Sequence, residues 1–372
     1  LWAGSSERSS NMGSSFGKNI NVSIFGQSHS ASIGVVIDGL PAGHRIDMEK
    51  LAQFMARRAP GRNGYSTQRC ESDTPEILSG LKDGVLCGAP FAAVIRNTDA
   101  VSRDYSEVSD KPRPGHADFT AQMKYHGTQD YSGGGHFSGR LTAPLCIAGG
   151  IMLQLLEEEG ITVGAHISEI AGVRDASFDP VSVSEEDIAR LRGSSFPVND
   201  PEAGEIMKSA ISAAKKAGDS VGGTIECATI GLPAGVGDPM FDGMENMIAC
   251  TVFAVPAVKG IEFGSGFAGS RSMGSTNNDP FTCKGGMIRT LTNNHGGILG
   301  GITSGMPLIF KVAIKPTPSI SIEQDTVSYS KKENAKISTK GRHDPCIVPR
   351  AVPCVESAAA IAIYDALLGS GI

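Results

Sequence analysis

The sequence predicts an α+β protein built as a single pseudo-symmetric domain. Three observations carry this. Amphipathic helices and short alternating strands are both frequent, and the strands follow one another in hairpin order, which favours antiparallel sheets over a doubly wound parallel one. Two phrases recur in the same order in each half. Gly39-Leu-Pro-Ala-Gly43 returns as Gly231-Leu-Pro-Ala-Gly235, and Gly133-Gly-Gly-His-Phe-Ser-Gly139 is echoed by His295-Gly-Gly-Ile-Leu-Gly-Gly301. Such echoes point to a duplicated strand–helix–strand core. No low-complexity linker divides the chain. The domain is therefore expected to span 13–372. Residues 1–12, Ser-rich and patternless, read as a leader or expression remnant, expected to be disordered.

Taken in order, Asn19 to Phe25 alternates and reads as a strand, and Ile33 to Ile37 as a second. Asp47 caps a helix with Met48, Leu51, Phe54 and Met55 on one face. It ends at Arg57 and Arg58, before Pro60, where cations complement the helix dipole. Glu76 to Leu81 and Phe91 to Ile95 read as a hairpin joined near Lys82-Asp-Gly84. Thr142 to Glu158 is a helix despite Gly149 and Gly150, which implies close packing there. Ile161 to Ile170 is a strand, and Ser184 opens a short helix to Arg192. Asp200-Pro201 starts a helix with Ile206, Met207, Ala210, Ile211 and Ala214 inward, closed by Gly218. Gly223 to Ile230, Val258 to Phe263 and Leu308 to Ile314 are strands. A helix is expected over 240–253, and the last helix runs from Pro353 to Leu368.

Composition excludes several classes. The net charge is −6 with no basic stripe, which argues against nucleic acid as a partner. No run of 18 apolar residues occurs, so no membrane span is expected. The eight cysteines are scattered without a C-x-x-C pair, the pattern of free thiols in a reducing cytosol rather than of a zinc site. Gly264-Ser-Gly-Phe-Ala-Gly269 matches G-x-G-x-x-G after a strand. With no helix expected over 270–280 and no acidic residue in a second strand beyond, it reads as a Gly/Ser loop.

The chemistry gathers in loops. Arg113-Pro-Gly-His-Ala-Asp118 and Asp130-Tyr-Ser-Gly-Gly-Gly-His-Phe-Ser-Gly-Arg140 hold donors and permissive backbone but little that could fill a core. Arg58, Arg62, Arg69, Arg113, Arg140, Arg342 and Lys315 all fall at element ends. Singly they read as solvated charges; together they can neutralise a small, multiply charged anion through bidentate hydrogen bonds. His29, His116, His136 and His343 sit on loops where packing does not explain them, and histidine suits proton transfer near neutral pH. Asp344 is a carboxylate set among cations, either an ion-pair partner or a proton acceptor. No metal site is expected.

Taken together and in this order, the phrases resemble chorismate synthase. They are Phe25-Gly-Gln-Ser-His29, Asp38 to Gly43, Arg57-Arg58 with Pro60-Gly61, Asp104-Tyr105, Arg113 to Asp118 and Gly133 to Arg140. Val255-Pro-Ala-Val-Lys-Gly260, His295 to Gly301, Lys315-Pro-Thr-Pro-Ser319 and Gly341-Arg-His-Asp-Pro345 complete the set. The likeness covers roughly 18–369. It implies a β-α-β sandwich with helices layered between antiparallel sheets, assembled as a cytoplasmic homotetramer. It implies 1,4-anti elimination of phosphate and the C6 pro-R hydrogen from 5-enolpyruvylshikimate 3-phosphate, giving chorismate and phosphate. Reduced FMN (FMNH2) is the implied cofactor. It is reduced by an external reductant or, in a bifunctional form, by NADPH; a non-catalytic flavin or anion module is the further alternative.

By matching position, the resemblance makes His29 the acid that protonates reduced flavin. His116 becomes the acid near the departing phosphate, and Asp344 the carboxylate that tunes or deprotonates flavin N5. Arg58, Arg62, Arg140 and Arg342 become substrate clamps. Flavin contacts would fall on Arg58, His136, Phe137, Ser138, Pro256, Ala257, Gly300, Lys315, Pro316, Thr317, Pro318, Ser319 and Arg342. The chain departs from the family at three points. Arg-Ser-Ser-Ala-Arg is frequent where this chain has His136-Phe-Ser-Gly-Arg140. An arginine is frequent at Gly64, for which Arg62 is the candidate substitute. Glu is frequent at Gln27.

Overall fold

The computed structural model describes residues 13–61, 73–97, 107–339 and 344–371, without the side chain of Lys284. The first half begins with β1 (Ser15–Phe16), β2 (Asn21–Gly26) and β3 (Ser32–Asp38). Helix α1 (Met48–Arg58) follows; the Asp47 carboxylate accepts from the N–H groups of Glu49 and Lys50. The expected hairpin is β4 (Glu76–Ser79) with β7 (Phe91–Arg96). Its tip is a smaller ladder, β5 (Leu81–Lys82) and β6 (Val85–Leu86). Asp83 and Gly84 both have positive φ at that tip, as a two-residue turn matched to strand twist requires. Next come α2 (Asp118–Tyr125), two short 3-10 turns (Ser132–Phe137 and Gly139–Leu141), and α3 (Thr142–Glu158).

The second half opens with β8 (Thr162–Ile170) and β9 (Val173–Arg174). Helix α4 (Glu185–Arg192) carries a capping box between Ser184 and Asp187, and α5 (Pro201–Ala217) follows. Then come β10 (Gly223–Ile230), α6 (Met244–Phe253), β11 (Val258–Phe263), and the single turns α7 (Gly266–Gly269) and α8 (Gly274–Asn277). Two small hairpins, β12 (Phe281–Lys284) with β13 (Met287–Thr290) and β14 (Ile298–Leu299) with β15 (Ile302–Thr303), lead to β16 (Leu308–Ile314). The hairpin β17 (Gln324–Ser328) with β18 (Glu333–Ile337) precedes α9 (Val348–Ser370).

Two five-stranded antiparallel sheets form, ordered β1-β2-β3-β7-β4 and β9-β8-β10-β16-β11. Four strands correspond in order, β2-β3-β7-β4 with β8-β10-β16-β11. In each half the central strand runs into Gly-Leu-Pro-Ala-Gly and then a helix, α1 or α6, and each half closes with a long apolar helix, α3 or α9. The helices lie between the sheets: α3 packs on β3 and β7, α9 on β8 and β10, and α3 and α9 on each other. The expected layered β-α-β sandwich and its internal repeat are both present. Although no uninterrupted apolar run occurs, the helical stretch Gly139–Glu158, which contains α3, and α9 are long and apolar enough to cross a membrane; here both are mostly buried as core helices.

Gly149 and Gly150 are explained by this packing. A Cβ on Gly149 would stand 2.2 Å from the Ser357 Cβ, and one on Gly150 would stand 2.6 Å from Leu51 Cδ1. Three expectations need correction. Ile206 is 51% exposed, because α5 buries only Ala203, Gly204, Met207 and Ile211. The helix over 240–253 is broken at Gly243, whose ψ of 151° is extended, leaving a 3-10 turn (Met240–Asp242) before α6. The 264–280 loop contains the single turns α7 and α8.

Candidate functional site

The segment from Ser132 to Leu141 joins the candidate residues. Gly133, Gly134 and Gly135 all have positive φ, and each is pressed against a neighbour. A Cβ on Gly133 would lie 2.4 Å from His29 Nδ1, and one on Gly134 would lie 3.1 Å from His116 Nε2. The glycine run is thus the strip of backbone between the two predicted histidines. Ser138 separates the two 3-10 turns of the segment, and its Oγ accepts from the Arg140 N–H at 3.3 Å.

His116 lies in a tight polar group. Its Nδ1 is 2.6 Å from Asp118 Oδ1, which fixes the ring and leaves Nε2 toward Gly134. Asp118 also receives Arg113 Nε and Nη2, each at 2.8 Å. Burial holds the His116 imidazole below its usual range; Asp118 opposes this and Arg113 adds to it. Asp118 is held well below the carboxylate range, because hydrogen bonds from Arg113 and His116 outweigh burial. The loop after β16 closes on this group. Arg113 Nη1 donates to Ser319 Oγ at 3.1 Å, and the Lys315 ammonium donates to the Gly115 carbonyl. Thr317 Oγ1 is buried and finds no hydrogen-bond partner among the described residues.

The arginines form a second group. Arg58 and Arg140 are buried, and each donates through Nη1 to one oxygen of Asp73, which is itself fully buried. Arg58 also donates Nε to Thr142 Oγ1 at 3.0 Å and Nη2 to the Gly139 carbonyl at 3.0 Å. Burial works against the charge on Asp73, but Arg58 and Arg140 prevail and lower its pKa. Arg350 of α9 donates Nε to the Arg58 carbonyl at 3.0 Å and holds Asp344 through Nη1. Burial, with Arg58 nearby, lowers the pKa of Arg350 despite Asp344. Among the described residues, Arg58, Arg140, Arg350, Asp73 and Asp344 thus share one patch.

The structure therefore brings His29, His116, Arg140, Lys315 and Ser319 together around two loops, and Arg58, Arg140 and Asp344 around Asp73 and Arg350. Other predicted residues stand apart. His136 is exposed, with Nδ1 on the Gly26 carbonyl at 2.7 Å and Nε2 on Ser14 Oγ at 2.9 Å. Phe137 is 38% exposed beside Tyr125. Pro256 and Ala257 lie in the turn between α6 and β11, and the Ala257 carbonyl accepts from the Lys315 N–H at 3.0 Å. Gly300 turns the β14–β15 hairpin, with open space where a Cβ would stand. Pro316 and Pro318 shape the loop between Lys315 and Ser319. Arg62, Arg69, Arg342 and His343 lie outside the described residues.

Sequence reading missed Asp73, Arg350 and the bracing role of Asp118. Arg350 did carry a signal. A cation in the first turn of a helix opposes the helix dipole, and such a residue calls for an acidic partner. Asp73 carried none.

A family model described as chorismate synthase matches residues 20–368. A chorismate synthase of Korarchaeum cryptofilum is similar at 45% identity over 360 residues, covering 96% of this chain and 98% of that protein. One of Thermococcus kodakarensis is similar at 45% identity over 352 residues, covering 95% and 97%. A solved structure described as the crystal structure of chorismate synthase superposes with a TM-score of 0.74 at 27% identity, covering 95% of this chain and 93% of that one.

Proposed function

Because the chain belongs to the chorismate synthase family, we propose that it is a lyase acting on 5-enolpyruvylshikimate 3-phosphate. It would remove the 3-phosphate and the C6 pro-R hydrogen by 1,4-anti elimination, giving chorismate. The observation that carries this reading is the pair of buried guanidiniums, Arg58 and Arg140, fixed around one carboxylate beside Arg350. A substrate with two carboxylates and a phosphate needs such fixed, desolvated donors.

The chain's own residues then take defined parts. Arg58 and Arg140 bind and orient the anionic substrate. His116, braced by Asp118, gives a proton to the departing phosphate oxygen from Nε2. Asp344, held by Arg350, is the carboxylate that accepts a proton as the C6 hydrogen is lost. His29 holds a proton across the glycine run. That backbone, lying against both rings, excludes water from the gap between them.

The residues present fit FMN. The orphaned Thr317 hydroxyl, the Lys315 ammonium and Ser319 form a donor set suited to a phosphate, and the space at Gly300 is open. When bound, reduced FMN supplies an electron transiently to the ring as phosphate departs. We favour an external reductant over NADPH bound by this chain. Gly264 to Gly269 runs into the single turn α7, which is too short to present a dinucleotide-binding helix.

Assembly into a homotetramer is part of the proposal. Phe267, Met273, Phe281, Met287, Ile288 and Leu291 are all exposed around the β12–β13 hairpin, a patch of the kind that marks an interface. The seven described cysteines are all free, in keeping with a cytoplasmic location. An anaerobic assay with the enolpyruvyl substrate and reduced FMN, followed by chorismate absorbance, tests the reading. Product is expected, and its absence would overturn it. Product with NADPH alone would overturn the external reductant.

A further inference from the structure

Beneath the arginine group, Cys146 of α3 and Cys354 of α9 face each other with their sulfurs 3.9 Å apart. Both are buried, at 0% and 3% exposure. Among the described residues no other two cysteines come within hydrogen-bonding distance. We propose that these two thiols are an oxidisable pair that a hydroperoxide converts to an intramolecular disulfide.

The helix geometry supports the closure. Gly149 meets Ser357 three residues beyond each cysteine, so α3 and α9 run parallel and in register, with an offset of 208 residues at both contacts. A Cβ on Gly149 would lie 2.4 Å from Ser357 Cα. Adding one carbon–carbon bond of ~1.5 Å puts the two backbones no more than about 4 Å apart there. One turn away, the sulfurs need to approach to about 2.05 Å, which side-chain rotation and a small helix adjustment can supply.

The environment distinguishes the two sulfurs. A hydrogen bond from Cys146 lowers the Cys354 thiol, and Arg58 and Arg350 add to this against burial. Burial pushes Cys146 the other way. Cys354 attacks as the thiolate once the proton it donates to the Arg350 carbonyl has left. Its sulfur takes one oxygen from the peroxide; the O–O bond breaks, and hydroxide leaves and is protonated to water. The Cys146 sulfur then attacks the Cys354 sulfenic acid. The S–S bond forms, the S–O bond breaks, and the Cys146 proton leaves with the second water. Two thiols lose two electrons and one peroxide gains them.

The consequence rests on the proposed function. Cys354 Sγ lies 3.4 Å from the carbonyl of Arg350, the residue that holds Asp344, so closure pulls on the turn that positions that carboxylate. The full-length, reduced protein is treated with hydrogen peroxide, alkylated under denaturing conditions and digested without reductant. Mass spectrometry is expected to show the 146 and 354 peptides linked, with the link lost on dithiothreitol treatment. If both cysteines are recovered alkylated while Cys87, Cys250 and Cys283 are oxidised, the proposal is overturned. The link is read by mass alone, so its absence counts against the thiol pair and not against the lyase reading. Failure of the reduced protein to make chorismate counts the other way.

Discussion

Replacing Asp73 by Asn tests whether the arginine group is an anion site held ready by an internal carboxylate. The change keeps the size of the side chain and removes one buried charge. Among the described residues, Arg58 and Arg140 then keep Thr142, the Gly139 carbonyl and Asn97, all neutral, as hydrogen-bond partners. Removing one partner of a buried ion pair costs about 3–5 kcal/mol. An unfolding entropy of ~2.1 cal/mol/K per residue over 372 residues comes to about 0.8 kcal/mol/K. The expected fall in unfolding midpoint is therefore about 4–6 °C in a chloride buffer. Inorganic phosphate should restore part of it. At a hundred times its dissociation constant it contributes about 2.7 kcal/mol, or about 3–4 °C, and it should act more strongly on the variant than on the parent, in which Asp73 already occupies the guanidiniums. Differential scanning fluorimetry in the two buffers reads both effects. A midpoint within about 1 °C of the parent in chloride, or equal stabilisation of both proteins by phosphate, would refute the reasoning.

Four further outcomes follow from the structure. The His116 acid must be protonated and its pKa is lowered by burial, so kcat/KM should fall as pH rises through a value below 6.5. Asp118→Asn removes the group that opposes this lowering and should move that limb to lower pH; an unmoved limb in pH–rate profiles would show that Asp118 does not tune the ring. His116→Ala should slow turnover by roughly two to four powers of ten. Arg350→Met and Asp344→Asn should each lower kcat, and the double variant should be no slower than the slower single one, because both changes break one pair; additive losses would separate their roles. Gly149→Ala should lower the unfolding midpoint. Overpacking against Ser357 costs about 1–3 kcal/mol against about 1 kcal/mol gained in helix propensity, and Ser357→Gly should relieve only part of the loss, because the Cα at 357 still stands 2.4 Å from the added Cβ.

Much of the scaffold was legible because its signals are local. The Asp47 cap and the Arg57-Arg58 end bound α1, and the spans of α3, β10, β11 and β16 agree with the expected ones residue for residue. Helix α2 was not foreseen. Ala117 offers no side-chain cap, and Phe119, Met123 and Tyr125 are exposed, so neither a cap nor an apolar stripe marked it. The β12–β13 hairpin was readable in principle from Gly285-Gly286, a two-residue turn with both φ positive, but its strands face outward and carry no core pattern. In the site, His116 and Arg140 could be singled out because they stand where packing does not need them. Asp73 could not. Its meaning comes from Arg58 and Arg140, 15 and 67 residues away, and pairing at that range leaves no local trace.

The repeat explains where the charges gather. Helices α3 and α9 are parallel and in register, so their N-termini lie at the same end of the core and their dipoles add there instead of cancelling. Thr142 and Arg350, in the first turns of the two helices, share the 208-residue offset of the cysteine pair, and both bind Arg58. The positive end of two buried helices and the guanidiniums of Arg58, Arg140 and Arg350 thus meet at one point, with Asp73 and Asp344 the carboxylates paired to them among the described residues. The paired helix ends favour a bound anion there. The second copy of the scaffold makes no matching site. Helix α6 occupies the place of α1 in the repeat but ends in Val252-Phe253, where α1 ends in Arg57-Arg58, and Phe253 is 52% exposed. Duplication supplies the paired helices and sheets, and the unequal loops and helix ends make one face of the pair a site.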